Sequence, residues 1–182
     1  MPVENERKLL IRHSDPAQLL QTLKRSSDAE TYDITQGYLS GSARIRHVVP
    51  HRSTYSDEQH LFTYKTKVGG NTVEIETEIS IHDYEKLSLI VKPVVHKTRV
   101  KIRRNQYTWD IDFIKTPKSG SIYLVMAEVE MPEFETDVPE IIEHLSAHAV
   151  RWVDASDKRF NNRNLANVKK VTRLFNELTN AQ

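Results

Sequence analysis

Charged residues recur two positions apart in six short segments of the chain, and half of the residues between them are apolar. The segments are Glu4-x-Glu6-x-Lys8, Arg44-x-Arg46, Lys65-x-Lys67, Glu74-x-Glu76-x-Glu78, Lys97-x-Arg99-x-Lys101-x-Arg103 and Glu128-x-Glu130. Because successive side chains of a β-strand point to opposite faces, each segment would direct its charges to one face and its apolar residues to the other. The pattern predicts strands whose charged faces either meet water or line a polar tunnel.

The wider pattern predicts eight strands and four helices. The predicted strands cover residues 3–12, 31–39, 43–49, 61–67, 72–80, 94–103, 107–113 and 122–131. The predicted helices begin after Asp15, after Ser80, near Pro139 and near Leu165. Short turns join neighbouring strands as hairpins, so we expect an α+β fold, an eight-stranded antiparallel β-barrel with helices packed outside. At 182 residues the chain fits a single domain over 1–182 with a C-terminal helix at about 165–179.

The overall charge is close to neutral, with 26 Lys plus Arg against 25 Asp plus Glu. Without a basic excess, nucleic acid is an unexpected partner. The absence of cysteine excludes disulfides, thiolate nucleophiles and cysteine zinc sites. The N-terminus lacks an apolar signal segment and no stretch approaches 18 apolar residues, so we expect a cytoplasmic protein without a membrane partner, as a monomer or homodimer.

The charges are sorted by sign, since five of the six segments carry one sign throughout. On an ordinary wet sheet, cross-strand pairs of mixed sign would stabilise the surface, whereas a row of like charges is costly unless a ligand or ion lies among them. Carboxylate clusters suit Mg²⁺ or Mn²⁺, and cation clusters suit phosphates. Together they predict a metal-dependent enzyme that acts on a linear polyphosphate or a nucleoside triphosphate.

A set of ordered motifs then resembles a known family. The opening Glu4-Asn5-Glu6-Arg7-Lys8 is similar to the E-x-E-x-K signature of the CYTH superfamily, the triphosphate tunnel metalloenzymes, and of its bacterial inorganic triphosphatase type. The further landmarks follow in the family's order: Gln36-Gly37-Tyr38-Leu39, Arg44-Ile45-Arg46, Tyr64-Lys65-Thr66-Lys67, Glu74-Ile75-Glu76, Lys97-Thr98-Arg99, Trp109-Asp110-Ile111-Asp112-Phe113, Ala127-Glu128-Val129-Glu130 and Lys158-Arg159-Phe160-Asn161-Asn162. The first motif alone occurs by chance in many chains, but the ordered set spans nearly all of this one.

The resemblance implies an eight-stranded triphosphate tunnel that binds a small-molecule triphosphate and cleaves it with Mg²⁺ or Mn²⁺. The implied metal-binding residues are Glu4, Glu6, Glu74, Glu76, Asp112, Glu128 and Glu130. The implied phosphate-binding residues are Lys8, Arg44, Arg46, Lys65, Lys67, Lys97, Arg99 and Lys158. Lys8 and Tyr38 are the implied catalytic residues, which orient or deprotonate the attacking water.

Two positions depart from the family pattern. Thr72 stands where an arginine precedes the acidic strand in the family, so one expected phosphate-binding residue is missing. The segment Asp154-Ala155-Ser156 replaces the family's E-V-T, with one residue fewer before Arg159. These departures bear on substrate preference and on the number of metals rather than on the fold.

Three functions fit these observations, and the first is hydrolysis of the triphosphate by water. The second is a class IV-type adenylate cyclase, whose usual His-Phe opening strand is replaced here by Val3-Glu4. The third is a non-catalytic protein that binds polyphosphate or nucleotide. The retained carboxylates argue against the third, because binding an anion alone needs cations and is hindered by acidic neighbours.

Overall fold

The computed structural model describes residues 5–52, 58–68, 71–153 and 157–180. Its strands are β1 (Glu6–Ile11), β2 (Ala29–Tyr38), β3 (Ala43–Pro50), β4 (Gln59–Val68), β5 (Asn71–Glu78), β6 (Val94–Arg104), β7 (Tyr107–Lys115), β8 (Ile122–Glu130) and β9 (Ala149–Val153). Its helices are α1 (Pro16–Lys24), α2 (Ile81–Ser88), α3 (Glu143–Ser146), α4 (Asn162–Leu165) and α5 (Val168–Asn180). A short 3₁₀ turn, Lys158–Phe160, precedes α4.

All nine strands belong to one antiparallel sheet, in the order β5-β4-β3-β2-β6-β7-β8-β1-β9. The predicted α+β class and the predicted antiparallel sheet are therefore confirmed. In the part of the chain that the structure describes, the edge strands β5 and β9 do not pair with each other, so the hydrogen-bonded sheet is not a closed ring. Its curvature nevertheless encloses a cavity, consistent with a tunnel-like barrel.

The predicted helix over 139–149 is wrong. Only the four residues of α3 are helical, and the chain then continues as β9, which pairs with β1 from Lys8 opposite Val153 to Ile11 opposite Ala149. Without β9, the outer edge of β1 would expose unpaired N–H and C=O groups. Tertiary pairing with that edge therefore outweighs the helical propensity of this segment.

One face of the sheet, called the outer face here, carries an apolar core. Trp109, Ile111 and Phe113 of β7 are at most 1% exposed and pack with Val100 and Val129 of the neighbouring strands. The aromatic positions of β7 therefore belong to the core. Helix α1 covers them with three buried leucines: Leu19, Leu20 and Leu23.

Local capping explains where α1 begins. The Asp15 side chain accepts hydrogen bonds from the backbone N–H groups of Ala17 and Gln18 at 3.1 and 3.0 Å, and Pro16 occupies the first turn, where its missing N–H costs nothing. The start of this helix follows the sequence prediction.

The opposite face, called the inner face, is divided into an apolar end and a charged end. At the apolar end, residues of the central strands form a second core with the C-terminal segment; its buried members are Leu10, Val95, Ile114, Leu124, Met126, Val153, Phe160, Leu165, Val171 and Leu174. Because Lys8 and Leu10 alternate with Leu9 along β1, they share this inner face. The α4–α5 segment therefore covers the apolar end of the inner face.

No helix within the described ranges combines the length and the apolar character needed to cross a bilayer.

Candidate functional site

The charged end of the inner face surrounds a cavity of about 820 Å³. Its walls come from eight strands, β1 to β8, the β2–β3 turn and the segment that contains α4. The lining residues are Asn5, Glu6, Lys8, Gln36, Tyr38, Gly41, Ser42, Arg44, Arg46, Lys65, Glu74, Glu76, Lys97, Arg99, Thr108, Asp110, Glu128, Glu130, Asn161 and Arg163. Cations and carboxylates thus face a common space, as the sorted charges predict.

Lys8 links two of the carboxylates. Its Nζ lies 2.8 Å from Glu128 Oε1 and 2.5 Å from Glu6 Oε1. Burial disfavours the charge on Lys8, but the two carboxylates outweigh this penalty and raise the pKa of Lys8 above its ordinary value. Lys8 is therefore a permanent ammonium group at neutral pH.

Glu128 is held between Lys8 and Arg99. Arg99 Nη2 donates to Glu128 Oε2 at 3.2 Å. Burial alone would raise the pKa of the Glu128 carboxyl, yet Lys8 and Arg99 lower it far below its ordinary value. Glu128 thus presents a charged carboxylate to the cavity throughout the physiological range.

Arg99 also binds two aspartates of β7. Its Nε lies 2.7 Å from Asp112 Oδ1, and its Nη1 lies 2.5 Å from Asp110 Oδ2. Lys97 Nζ reaches the same Asp112 at 2.5 Å. Since Asp112 is 0% exposed and does not line the cavity, its contacts hold Arg99 and Lys97 in place at the cavity wall.

The wall built by β3, β4 and β5 carries further ion pairs. Glu74 accepts from Arg44 at 2.9 Å and from Lys65 at 2.7 Å. Glu76 pairs with Arg46 and accepts from the Thr63 hydroxyl at 2.8 Å. The Nε groups of Arg44 and Arg46 are buried and have no hydrogen-bond partner in the described part of the chain, which leaves donor capacity beside the cavity.

Tyr38 contributes a phenol group to the same space. The Gln36 side-chain amide donates to its hydroxyl. Burial raises the pKa of Tyr38 to about 12, against a smaller opposing effect of the Arg44 charge. The hydroxyl is therefore protonated at neutral pH and able to donate a hydrogen bond.

Most of the residues implied by the family resemblance meet in the cavity. Those that line it are Glu6, Glu74, Glu76, Glu128 and Glu130 among the implied metal ligands, Lys8, Arg44, Arg46, Lys65, Lys97 and Arg99 among the implied phosphate-binding residues, and Tyr38. Lys67 is exposed and does not line it, and Asp112 is enclosed behind Arg99 and Lys97. Glu4 and the Lys158 side chain lie outside what the structure describes, as does the segment 154–156.

The sequence analysis does not predict several of the residues that line the cavity. Asp110 shares its strand face with Asp112, so the two-residue alternation could have identified it. Gln36 stands two positions before Tyr38 and follows the same rule. Asn161 and Arg163 reach the cavity from the C-terminal segment, where strand alternation gives no signal.

The described carboxylates lie on neighbouring strands, but they do not form a preorganised metal site. Glu6 of β1 pairs in register with Glu130 of β8, and Glu128 pairs with Asp110 of β7. Over the residues that the structure describes, no three acidic or histidine side chains converge closely enough to hold a metal by themselves.

No protein-family profile matches the chain. A curated relative from Acetivibrio thermocellus, named inorganic triphosphatase, is 30% identical over 104 residues, which cover 54% of this chain and 60% of the relative. The chain therefore spans less than two thirds of that relative's length. Residues of the ordered motifs that resemble the CYTH superfamily gather around one cavity, and the named relative is similar to this chain over 104 residues.

Two solved structures are also similar to this chain. A protein of Pyrococcus horikoshii OT3 is 18% identical with a TM-score of 0.43, and the match covers 72% of this chain and 80% of that one. A proposed adenylate cyclase of Bacillus halodurans is 15% identical with a TM-score of 0.46, covering 71% of this chain and 81% of that one. At such values neither likeness carries a conclusion about the activity of this protein.

Proposed function

We propose that the protein hydrolyses a triphosphate, inorganic tripolyphosphate or a nucleoside triphosphate, bound in the 820 Å³ cavity. The observation that carries the proposal is the joint presence of cations and carboxylates on the cavity wall, with Lys8 between Glu6 and Glu128. The name of the curated relative supports the same reaction class.

The cations account for binding of the phosphate chain. Arg44, Arg46 and Lys65 lie together on one wall, and Arg99 lies on another. Each forms an ion pair with a carboxylate, which keeps the charges compensated without substrate. Guanidinium groups bind phosphate oxygens through paired charge-assisted hydrogen bonds, so the incoming triphosphate can take over these donors.

The carboxylates suit a divalent metal. Glu6, Glu128 and Glu130 offer hard oxygen donors from two paired strands, the chemistry that Mg²⁺ and Mn²⁺ prefer. Since Mg²⁺ usually takes only one or two carboxylates and completes its shell with waters and substrate phosphates, a site that is incomplete without substrate fits it. When bound, such an ion would neutralise phosphate charge and activate water.

Lys8 and Tyr38 are best placed to orient groups rather than to remove protons. Lys8 keeps its proton because of Glu128 and Glu6, and Tyr38 keeps its proton because burial raises its pKa to about 12. Both can therefore donate hydrogen bonds to the phosphate or to the attacking water at neutral pH. This role is narrower than the alternatives of orienting or deprotonating that the resemblance implies.

A substrate panel tests the proposal. The purified chain is incubated with tripolyphosphate, ATP, GTP or thiamine triphosphate, with Mg²⁺ or Mn²⁺ or with EDTA, and the products are separated. We expect metal-dependent release of inorganic phosphate from at least one of them. Formation of cyclic AMP and pyrophosphate from ATP would instead identify a cyclase, and binding without turnover in either metal would identify a binding protein.

A further inference from the structure

Arg163 differs from the other described cations that line the cavity in having no carboxylate partner. Each of the others forms an ion pair: Lys8 with Glu6 and Glu128, Arg44 and Lys65 with Glu74, Arg46 with Glu76, Lys97 with Asp112, and Arg99 with Asp110, Asp112 and Glu128. Among the described residues, Arg163 instead donates from Nη1 to the Gly41 carbonyl at 2.9 Å, and its guanidinium carbon lies 6.0 Å from the centre of the Tyr38 ring. Within the described ranges, no carboxylate therefore pairs with its charge at the cavity.

The backbone that carries Arg163 is fixed to the sheet. Asn161 caps α4 by accepting from the Asn164 backbone N–H at 2.8 Å. Phe160 and Leu165, on either side of Arg163, are both 0% exposed, and the Tyr123 hydroxyl donates to the Leu165 carbonyl at 2.5 Å. A firmly held backbone and an exposed side chain allow the guanidinium to reach a ligand without rearranging the fold.

The missing countercharge matters for the energetics of anion binding. When a phosphate binds a cation that is already paired, it must replace the carboxylate, so part of the gain is lost. Among the described residues Arg163 has no carboxylate that a phosphate would have to displace. Its Nε and Nη2 groups can therefore donate two parallel hydrogen bonds to phosphate oxygens. The Gly41 contact uses only Nη1, so it can persist when a ligand is bound.

We propose that Arg163 is a further substrate-binding residue, which holds phosphate oxygens of the triphosphate from the α4 side of the cavity. The inference rests on the proposed function, because it takes the triphosphate as the occupant. It adds a binding residue from outside the strands, at a position that neither the strand alternation nor the family motifs single out.

The test measures binding of tripolyphosphate by isothermal titration calorimetry in EDTA, where no turnover interferes. The variants are Arg163→Gln, Arg163→Lys and, as a matched loss of one charge, Arg173→Gln. Arg173 is 77% exposed on α5 and does not line the cavity. We expect Arg163→Gln to weaken binding about tenfold or more, consistent with the loss of a charge-assisted hydrogen bond, and Arg173→Gln to bind as the unsubstituted protein does.

Further readouts separate binding from a structural role. The slope of log affinity against log salt concentration should become shallower for Arg163→Gln only, and Arg163→Lys should retain part of the affinity. Equal melting temperatures of the variants would show that the fold is kept. Unchanged affinity of Arg163→Gln beside clear binding by the unsubstituted protein overturns the role of Arg163 alone. Lack of tripolyphosphate binding by the unsubstituted protein overturns this role of Arg163, and absence of turnover of every triphosphate in the substrate panel overturns the proposed function as well.

Discussion

The Lys8 ammonium group lies 2.8 Å from the Glu128 carboxylate, and the two residues face each other in register on β1 and β8. Strand pairing therefore fixes the distance between a cation suited to phosphate and a carboxylate suited to a metal. The same pairing sets Glu6 opposite Glu130 two residues further along. The site is thus a property of the sheet register rather than of a flexible loop.

The first prediction compares two lysines of β4. Lys65 lines the cavity and pairs with Glu74, whereas Lys67 is exposed and lies off the cavity. We expect Lys65→Ala to raise the KM for the triphosphate about tenfold with a smaller effect on kcat, because it removes a phosphate contact. Lys67→Ala is the matched control and should leave both constants unchanged. Steady-state kinetics check this, and equal effects of the two substitutions would contradict the placement of Lys65.

The second prediction concerns stability and the two aspartates of β7. Replacing the buried Asp112 by Asn leaves Lys97 and Arg99 without their shared carboxylate, and breaking a buried ion pair in this way costs about 3–5 kcal/mol. Asp110 lies at the cavity wall with an 18% exposed side chain, so Asp110→Asn should cost much less. The free energy of unfolding from urea titrations checks the order. A larger loss for Asp110→Asn would show that Asp112 is not the structural partner of the two cations.

The third prediction follows from the raised pKa of Tyr38. Burial raises this pKa to about 12 from an ordinary 10.0, so the folded protein binds the phenol proton more tightly than the unfolded chain does. The resulting stabilisation is complete below about pH 10 and is lost as the pH rises towards 12. Tyr38→Phe removes this contribution, so its stability should fall less between pH 8 and pH 11 than that of the unsubstituted protein. Denaturant unfolding at the two pH values measures the difference, and parallel losses would mean that the hydroxyl is not shielded from water.

Much of the fold follows from alternation in the sequence. Runs such as Lys97-x-Arg99 and Glu128-x-Glu130 fix both the strand and the face, because a period of two leaves no other arrangement that buries the apolar partners. The N-caps of α1 and α2, Asp15 and Ser80, can also be predicted from the local sequence, since capping involves only a few neighbouring residues.

Long-range contacts account for what the sequence does not reveal. Strand β9 exists because the edge of β1 needs a partner, and nothing within 149–153 signals that edge. Lys67 follows the alternation of Lys65 but extends past the cavity, and alternation alone does not determine where a strand leaves it. Arg163 enters the cavity because α4 packs over the inner face. This packing is a tertiary contact, and no local sequence pattern predicts it.

Whether residues 1–182 act as a single domain stays a prediction, and so do the oligomeric state and the cytoplasmic location. Size-exclusion chromatography with light scattering on the purified chain would determine the oligomeric state.

The central claim is that carboxylates of this cavity support metal-dependent cleavage of a triphosphate. It is tested most directly by phosphate release from tripolyphosphate with Mg²⁺ or Mn²⁺, measured for the unsubstituted protein, for Glu128→Gln and for the exposed control Glu133→Gln. We expect turnover that EDTA abolishes, a loss of at least about 100-fold in Glu128→Gln with the fold retained, and no change in Glu133→Gln. Near-normal turnover in Glu128→Gln, or no turnover of any triphosphate of the panel by the unsubstituted protein with either metal, would contradict the account.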